Sequence, residues 1–142
     1  SDEASKILTA EISGIGPALE VGVALGIPVV FARKIWSITM PADSFERMVP
    51  SHTKGTMVQL IVAREYLKPG DRVIVVDDFL ATGKTIEALA NIVQESGAEL
   101  VGIGAVIEKS FEGGRQRLAP LGVPIESAVI IESMDGDRIV FR

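Results

Sequence analysis

The run Arg72-Val73-Ile74-Val75-Val76-Asp77-Asp78-Phe79-Leu80-Ala81-Thr82-Gly83-Lys84-Thr85 constrains this chain more than any other stretch, because a buried strand, two carboxylates and a phosphate-sized loop follow one another in it. Four β-branched residues in a row, Val73 to Val76, suit a parallel strand covered on both faces, and ligands of open α/β sheets sit beyond the carboxyl ends of such strands. Asp77 and Asp78 emerge at that end. Ionised carboxylates only accept hydrogen bonds, so an adjacent pair suits the vicinal hydroxyls of a ribose and repels a phosphate. The next residues supply the opposite chemistry. Thr82, Gly83, Lys84 and Thr85 read as the opening of a helix, where free N–H groups, the helix dipole, two hydroxyls and an ammonium favour an anion, with Ala81 leading into it. The run therefore reads as a sugar-phosphate site, with an acid pair for the ribose one short loop away from a cradle for its 5′-phosphate.

Two familiar motifs are excluded by single residues. Gly83-Lys84-Thr85 ends like a triphosphate-binding P-loop, but the first glycine of that motif belongs at position 78, which is Asp78. At a second strand-to-helix turn, Ser13-Gly14-Ile15-Gly16, the third glycine of a dinucleotide fingerprint would be residue 19, which is Leu19. The plainer alternatives are that Asp77 and Asp78 only end a strand and that Thr82 only caps a helix. Each suits an isolated feature; the ordered run outweighs them.

The order of strand, acid pair, small residues and Thr-Gly-x-Thr resembles the phosphoribosyl-pyrophosphate signature of the type I phosphoribosyltransferases. Val106-Ile107-Glu108-Lys109-Ser110-Phe111, Gly114-Arg115 and Val29-Val30-Phe31-Ala32-Arg33-Lys34 resemble the xanthine branch of that family, so the likeness spans nearly the whole chain. It implies a purine phosphoribosyltransferase that moves phosphoribosyl from phosphoribosyl pyrophosphate to a base, xanthine foremost, and releases pyrophosphate. Asp77 and Asp78 would be the catalytic acids, and residues 81–85 the 5′-phosphate loop. Ser13, Gly14 and Ile15 would hold the pyrophosphate through backbone N–H groups, with Arg33 and Lys34 as further contacts, although by default those two are a solvated pair at a strand end.

Lys109 and Phe111 follow the strand where the family binds its base; Phe111 suits a core position equally well. His52 and Lys54 are read as exposed loop residues, and in many relatives such a loop closes over the reaction. Mg²⁺ would come with the substrate, which agrees with the lack of a dedicated metal motif. A homodimer is implied. Relatives usually carry an N-terminal hood over the base, whereas only about five residues precede the first strand here. Base recognition is accordingly expected to be less complete than phosphoribosyl recognition. The rival reading is a non-catalytic sensor of phosphoribosyl pyrophosphate or a nucleotide, acting through a protein partner.

A chain of 142 residues makes one domain, 1–142, with a real core. No apolar stretch approaches the roughly 18 residues of a membrane span, and no basic, apolar leader opens the chain. The absence of cysteine fits a reducing compartment. A soluble, cytoplasmic protein is expected. A net charge of −5 argues against general nucleic-acid binding.

Strands are expected at Lys6–Ile12, Pro28–Lys34, Thr56–Val62, Val73–Val76, Leu100–Ile107 and Ile125–Ile131, with a hairpin-like end over Met134–Phe141 across Asp135-Gly136. A helix reaches Leu25 and is stopped by Gly26; a second carries Ile86, Leu89, Ala90 and Val93 as one buried stripe, and a short third lies near Arg115–Ala119. Residues 35–55 lack periodicity and read as a mobile loop or loose hairpin. Strands alternating with helices mean an α/β fold, an open, mainly parallel sheet flanked by helices with an antiparallel C-terminal edge.

Overall fold

The computed structural model describes residues 3–35, 43–51, 55–135 and 138–141. Among these the chain runs β1 (Lys6–Ala10), α1 (Ile15–Leu25), β2 (Val29–Ile35), β3 (Ser44–Pro50), β4 (Met57–Ala63), β5 (Arg72–Leu80), α2 (Lys84–Glu95), β6 (Glu99–Lys109), α3 (Gly114–Leu118), β7 (Ile125–Asp135) and β8 (Arg138–Phe141). The strands form one sheet in the order β3-β4-β2-β1-β5-β6-β7-β8. Its centre, β2-β1-β5-β6-β7, is parallel. The chain leaves β1 for β2 through α1 but later enters β5 on the other side of β1. Winding therefore reverses between β1 and β5, and in open α/β sheets ligands bind beyond the strand ends at such a reversal.

The antiparallel C-terminal edge is present, with Asp135 opposite Arg138. A second antiparallel edge, β3 on β4 on β2, was not anticipated. Residues 44–50 of the segment read as a mobile loop or loose hairpin are thus a strand, paired antiparallel with β4. Their sequence hides it because apolar residues do not alternate: Phe45 and Val49 share the buried face, but Arg47 lies between them on that face and apolar Met48 is exposed on the other. Tertiary contacts hold the strand instead. Phe45 packs under the Arg64 guanidinium, 4.4 Å from the ring centroid, and Arg47 reaches Glu95 of α2 at 2.6 Å. His52, Lys54 and Gly136 lie outside the described residues.

The two faces of the sheet are covered unequally. α2 buries Ile86, Leu89, Ala90 and Val93, the stripe its spacing requires, and adds Ala88 and Ile92. With Leu8, Leu60, Val73 and Val75 from the sheet they form the main core. At roughly 1.5–3 kcal/mol per buried large aliphatic side chain, this packing fixes α2, and so its N-terminus, firmly against β5. α1 covers the opposite face with a smaller cluster around Ile7, Ala18 and Val76.

Candidate active site

Where β1 and β5 part, a cleft of about 370 Å³ opens at their carboxyl ends. Asp77 and Asp78 line it from within β5, which runs on to Leu80 rather than ending before the acids as the sequence suggests, because Phe79 and Leu80 still pair with β6. Each carboxyl accepts from the backbone N–H of the next residue: the Asp78 N–H donates to Asp77 Oδ1 at 2.8 Å and the Phe79 N–H to Asp78 Oδ1 at 2.9 Å. Asp77 is only 9% exposed. Burial pushes its carboxyl up to about 7, and the hydrogen bond to Asp78 pushes the same way. Burial also acts to raise Asp78, but hydrogen bonds from Asp77, Ser13 and the Phe79 N–H outweigh it and hold that carboxyl below the usual range. The two adjacent carboxyls are thus shifted in opposite directions, Asp77 up and Asp78 down.

The anion cradle follows within five residues. Helix α2 begins at Lys84, two residues later than the sequence suggests, and its N-cap is Gly83 rather than Thr82. Gly83 has φ 85°, a left-handed conformation, and a β-carbon there would lie 3.1 Å from the Gly114 carbonyl oxygen. Only glycine fits without strain. No side chain caps the helix. The N–H groups of Lys84, Thr85 and Ile86 thus have no intrahelical partner and point at the cleft with the positive end of the dipole. Ala81, Thr82, Gly83, Lys84 and Thr85 all line the cleft, as expected.

The β1–α1 turn forms the opposite wall, where the Glu11–Ile12 peptide is cis. Ser13 lines the cleft; Gly14 and Ile15 do not. Gly14 is instead the spacer that lets the turn close on Thr9 and Asp77, since a β-carbon would meet the Thr9 hydroxyl and come within 2.9 Å of Asp77 Oδ1. Lys34 enters the cleft, and its charge acts to lower Asp77. Arg33 does not. Successive strand residues face opposite ways, so Arg33 turns into a separate groove beside Phe31 and Tyr66, on the α1 side of the sheet.

On the far side, Lys109 lines the cleft with its ammonium 5.3 Å from the centroid of the Phe79 ring. Its sequence neighbour Glu108 does not pair with it. Glu108, 1% exposed, takes a bidentate grip from Arg115 at 2.7 and 3.0 Å and a hydrogen bond from Ser127 at 2.8 Å. Among the described residues the Lys109 ammonium has no ion-pair partner and lies only over the Phe79 ring. Phe111 is 48% exposed and outside the lining, so the aromatic side chain of the cleft is Phe79. Glu11, Phe79 and Glu112 are lining residues the sequence reading did not single out. Phe79 was legible, since it directly follows the acid pair; Glu112 was not, because only the turn at Ser110–Glu112 brings it back.

A family model described as phosphoribosyl transferase domain matches residues 5–135. The chain belongs to that family. Among its relatives, a xanthine phosphoribosyltransferase of Deinococcus deserti is 50% identical over 131 residues, covering 92% of this chain and 68% of the relative. One of Brevibacillus brevis is 47% identical over 137 residues, 96% of this chain and 70% of the relative. Among solved structures, an adenine phosphoribosyltransferase of Thermoanaerobacter pseudethanolicus superposes with a TM-score of 0.77 at 29% identity, covering 90% of this chain and 71% of that one. An APRTase of Giardia lamblia complexed with 9-deazaadenine gives 0.79 at 25% identity, with 92% and 71% covered. The α/β fold with its mostly parallel sheet is that of phosphoribosyltransferases.

Proposed function

We propose that this phosphoribosyltransferase domain transfers the phosphoribosyl group of phosphoribosyl pyrophosphate to a ring nitrogen of xanthine. The observation that carries the reading is the order of groups around one cleft: uncapped helix N-terminus, carboxyl pair, then Lys34 and Ser13 on one wall and Lys109 on the other. Xanthine is favoured over adenine because relatives of that name reach 50% identity, whereas the adenine-named structures stand at 29% or below. The chemistry of Lys109 agrees. An ammonium has three donors and no acceptor, so it suits the carbonyl oxygens of xanthine and opposes the exocyclic amine of adenine.

In the reaction the bond between the anomeric carbon and pyrophosphate breaks as the bond to the base nitrogen forms, and positive charge builds on the ribose ring. Asp77 and Asp78 accept the ribose hydroxyls and stabilise that charge. The α2 N-terminus with Thr82, Lys84 and Thr85 holds the 5′-phosphate, while Ser13 and Lys34 face the departing pyrophosphate. Among the described residues no group of three His, Cys, Asp or Glu side chains could cage a metal. Two adjacent carboxylates beside a phosphate site nevertheless fit Mg²⁺, which takes one or two protein carboxylates and fills its shell with water and phosphate oxygens. Asp77 and Asp78 would hold it, and it would supply charge neutralisation of the pyrophosphate.

No helix of the described residues is long and apolar enough to cross a membrane, which accords with a cytoplasmic enzyme. Homodimerisation fits the apolar surface of α1, where Val23 is 84% exposed beside Leu19 and Leu25. The test is to incubate the protein with phosphoribosyl pyrophosphate, Mg²⁺ and one base at a time and to measure pyrophosphate. Release with xanthine well ahead of adenine is expected. Binding of phosphoribosyl pyrophosphate with no release for any base would replace the enzyme with a sensor.

A further inference from the structure

The phosphate loop is braced from outside the cleft. Helix α3 lies behind it, close enough that a β-carbon on Gly114 would strike the Ala81 carbonyl. From this helix Arg117 reaches the loop twice. Its Nε donates to the Thr82 carbonyl oxygen at 2.9 Å, and its Cδ lies 3.5 Å from where a Gly83 β-carbon would be. Its terminal nitrogen sits 3.4 Å from Glu87 Oε1, in the first turn of α2. α3 itself cannot drift, because Arg115 ties it to buried Glu108 and to the Ile125 carbonyl.

We propose that Arg117 is a positioning residue for the 5′-phosphate subsite; the proposal rests on the reading of residues 81–85 as that subsite. The Thr82–Gly83 peptide is trans, so its C=O and N–H point in opposite directions. Holding the Thr82 oxygen toward Arg117 turns the Gly83 N–H away from Arg117, toward the cleft, and adds it to the free donors of α2. The same guanidinium lies against Glu87, whose carboxylate stands near the helix end that must receive an anion. One side chain thus aims a donor and offsets a repulsion. Sequence gives no sign of this, since Arg117 lies 35 residues from Thr82.

Calorimetry with ribose 5-phosphate and with Mg²⁺-pyrophosphate, on the parent, Arg117→Ala and Arg117→Lys, tests the proposal. Arg117→Ala should weaken ribose 5-phosphate at least about tenfold, the scale of one hydrogen bond from a charged donor. Pyrophosphate affinity should stay within about twofold. Arg117→Lys keeps the charge and one reach, and should recover part of the loss. Glu87→Gln, with Arg117 intact, should leave ribose 5-phosphate affinity unchanged or raise it; this variant covers the case in which Arg117→Ala does not fold. Ribose 5-phosphate affinity within twofold of the parent in Arg117→Ala, equal losses for both ligands, or weakened binding in Glu87→Gln would overturn the role of Arg117. A parent that binds pyrophosphate but no ribose 5-phosphate would overturn the subsite assignment itself, and the brace with it.

Discussion

The half of the cleft proposed to hold ribose phosphate and the wall proposed to face the base are built in different ways. From Asp77 to Thr85 nine consecutive residues supply the acids, the turn and the helix start, backed by the α2 core on one side and α3 on the other. The wall proposed for the base takes only Phe79 from that stretch. Phe79 comes from β5, Lys109 from the end of β6 and Glu112 from the turn beyond it. Phe79 is 43% exposed, and its contact to Lys109 is a single cation–ring pairing. A half made from one rigid stretch holds its donors in place before ligand arrives, which lowers the ordering cost of binding. A wall made of separate half-exposed side chains selects by hydrogen-bond type instead, and each of its members is individually replaceable.

Several substitutions would break or sharpen that contrast. The largest effect should come from Gly83→Val, which forces a β-branched residue into a left-handed turn against the backbone of Gly114. Ribose 5-phosphate affinity measured by calorimetry should fall by at least about 100-fold, whereas an intact affinity in the folded variant would remove the loop from the site. Next come Asp77→Asn and Asp78→Asn, each losing a charge-assisted hydrogen bond of roughly 1.5–3 kcal/mol. The expected fall in kcat/KM for phosphoribosyl pyrophosphate is about 10- to 150-fold, and two variants within twofold of the parent would make the acids structural.

Lys109→Ala probes the other half. The ratio of kcat/KM for xanthine over adenine should shrink by about tenfold or more, while affinity for phosphoribosyl pyrophosphate hardly moves. An unchanged ratio would take Lys109 out of base selection.

The carboxyl pair also makes stability depend on pH. Unfolded Asp77 ionises near 3.8, while the folded protein holds its proton up to about 7, so the folded state binds the extra proton between those values. That contribution is fully present below the lower value and is lost as pH rises to the upper one. In chemical denaturation without ligand, the parent should therefore lose stability relative to Asp77→Asn as pH rises from 4 toward about 7. Parallel curves would mean that the proton is not held. The smallest effects concern the two phenylalanines. Phe79→Ala should raise the KM for xanthine several-fold, because it lines the cleft and carries Lys109, and Phe111→Ala should leave it within about twofold. The reverse order would return Phe111 to the base site.

Much of the fold was legible because its signals are local. The Val73–Val76 run, the α2 stripe and the glycine stops each follow from residues within one or two turns, and the parallel centre follows from their alternation. β3 was not legible. Charged Arg47 between Phe45 and Val49 on its buried face and apolar Met48 on the exposed one mask the period of a strand, and it is held by Arg47 to Glu95 and by Phe45 under Arg64, contacts between residues far apart in sequence. The same distinction runs through the cleft. Lys34 and Arg33 look alike as neighbours, and only strand pleating sends one into the cleft and the other to the opposite face.

The sequence by itself determined the chemistry at the end of β5, because acid pair, turn glycine and helix start are adjacent and their roles follow from backbone geometry and charge. Only the tertiary structure decided which distant groups join them. Burial raises the Asp77 carboxyl, and α3 brings Gly114 and Arg117 behind residues 81–85. Arg115 pairs with Glu108 while Lys109 lines the cleft, and Phe79 rather than Phe111 lines it beside Lys109. The reason is physical: a residue's local preferences extend over a turn or two of chain, whereas desolvation and pairing depend on whatever the fold places within a few ångströms.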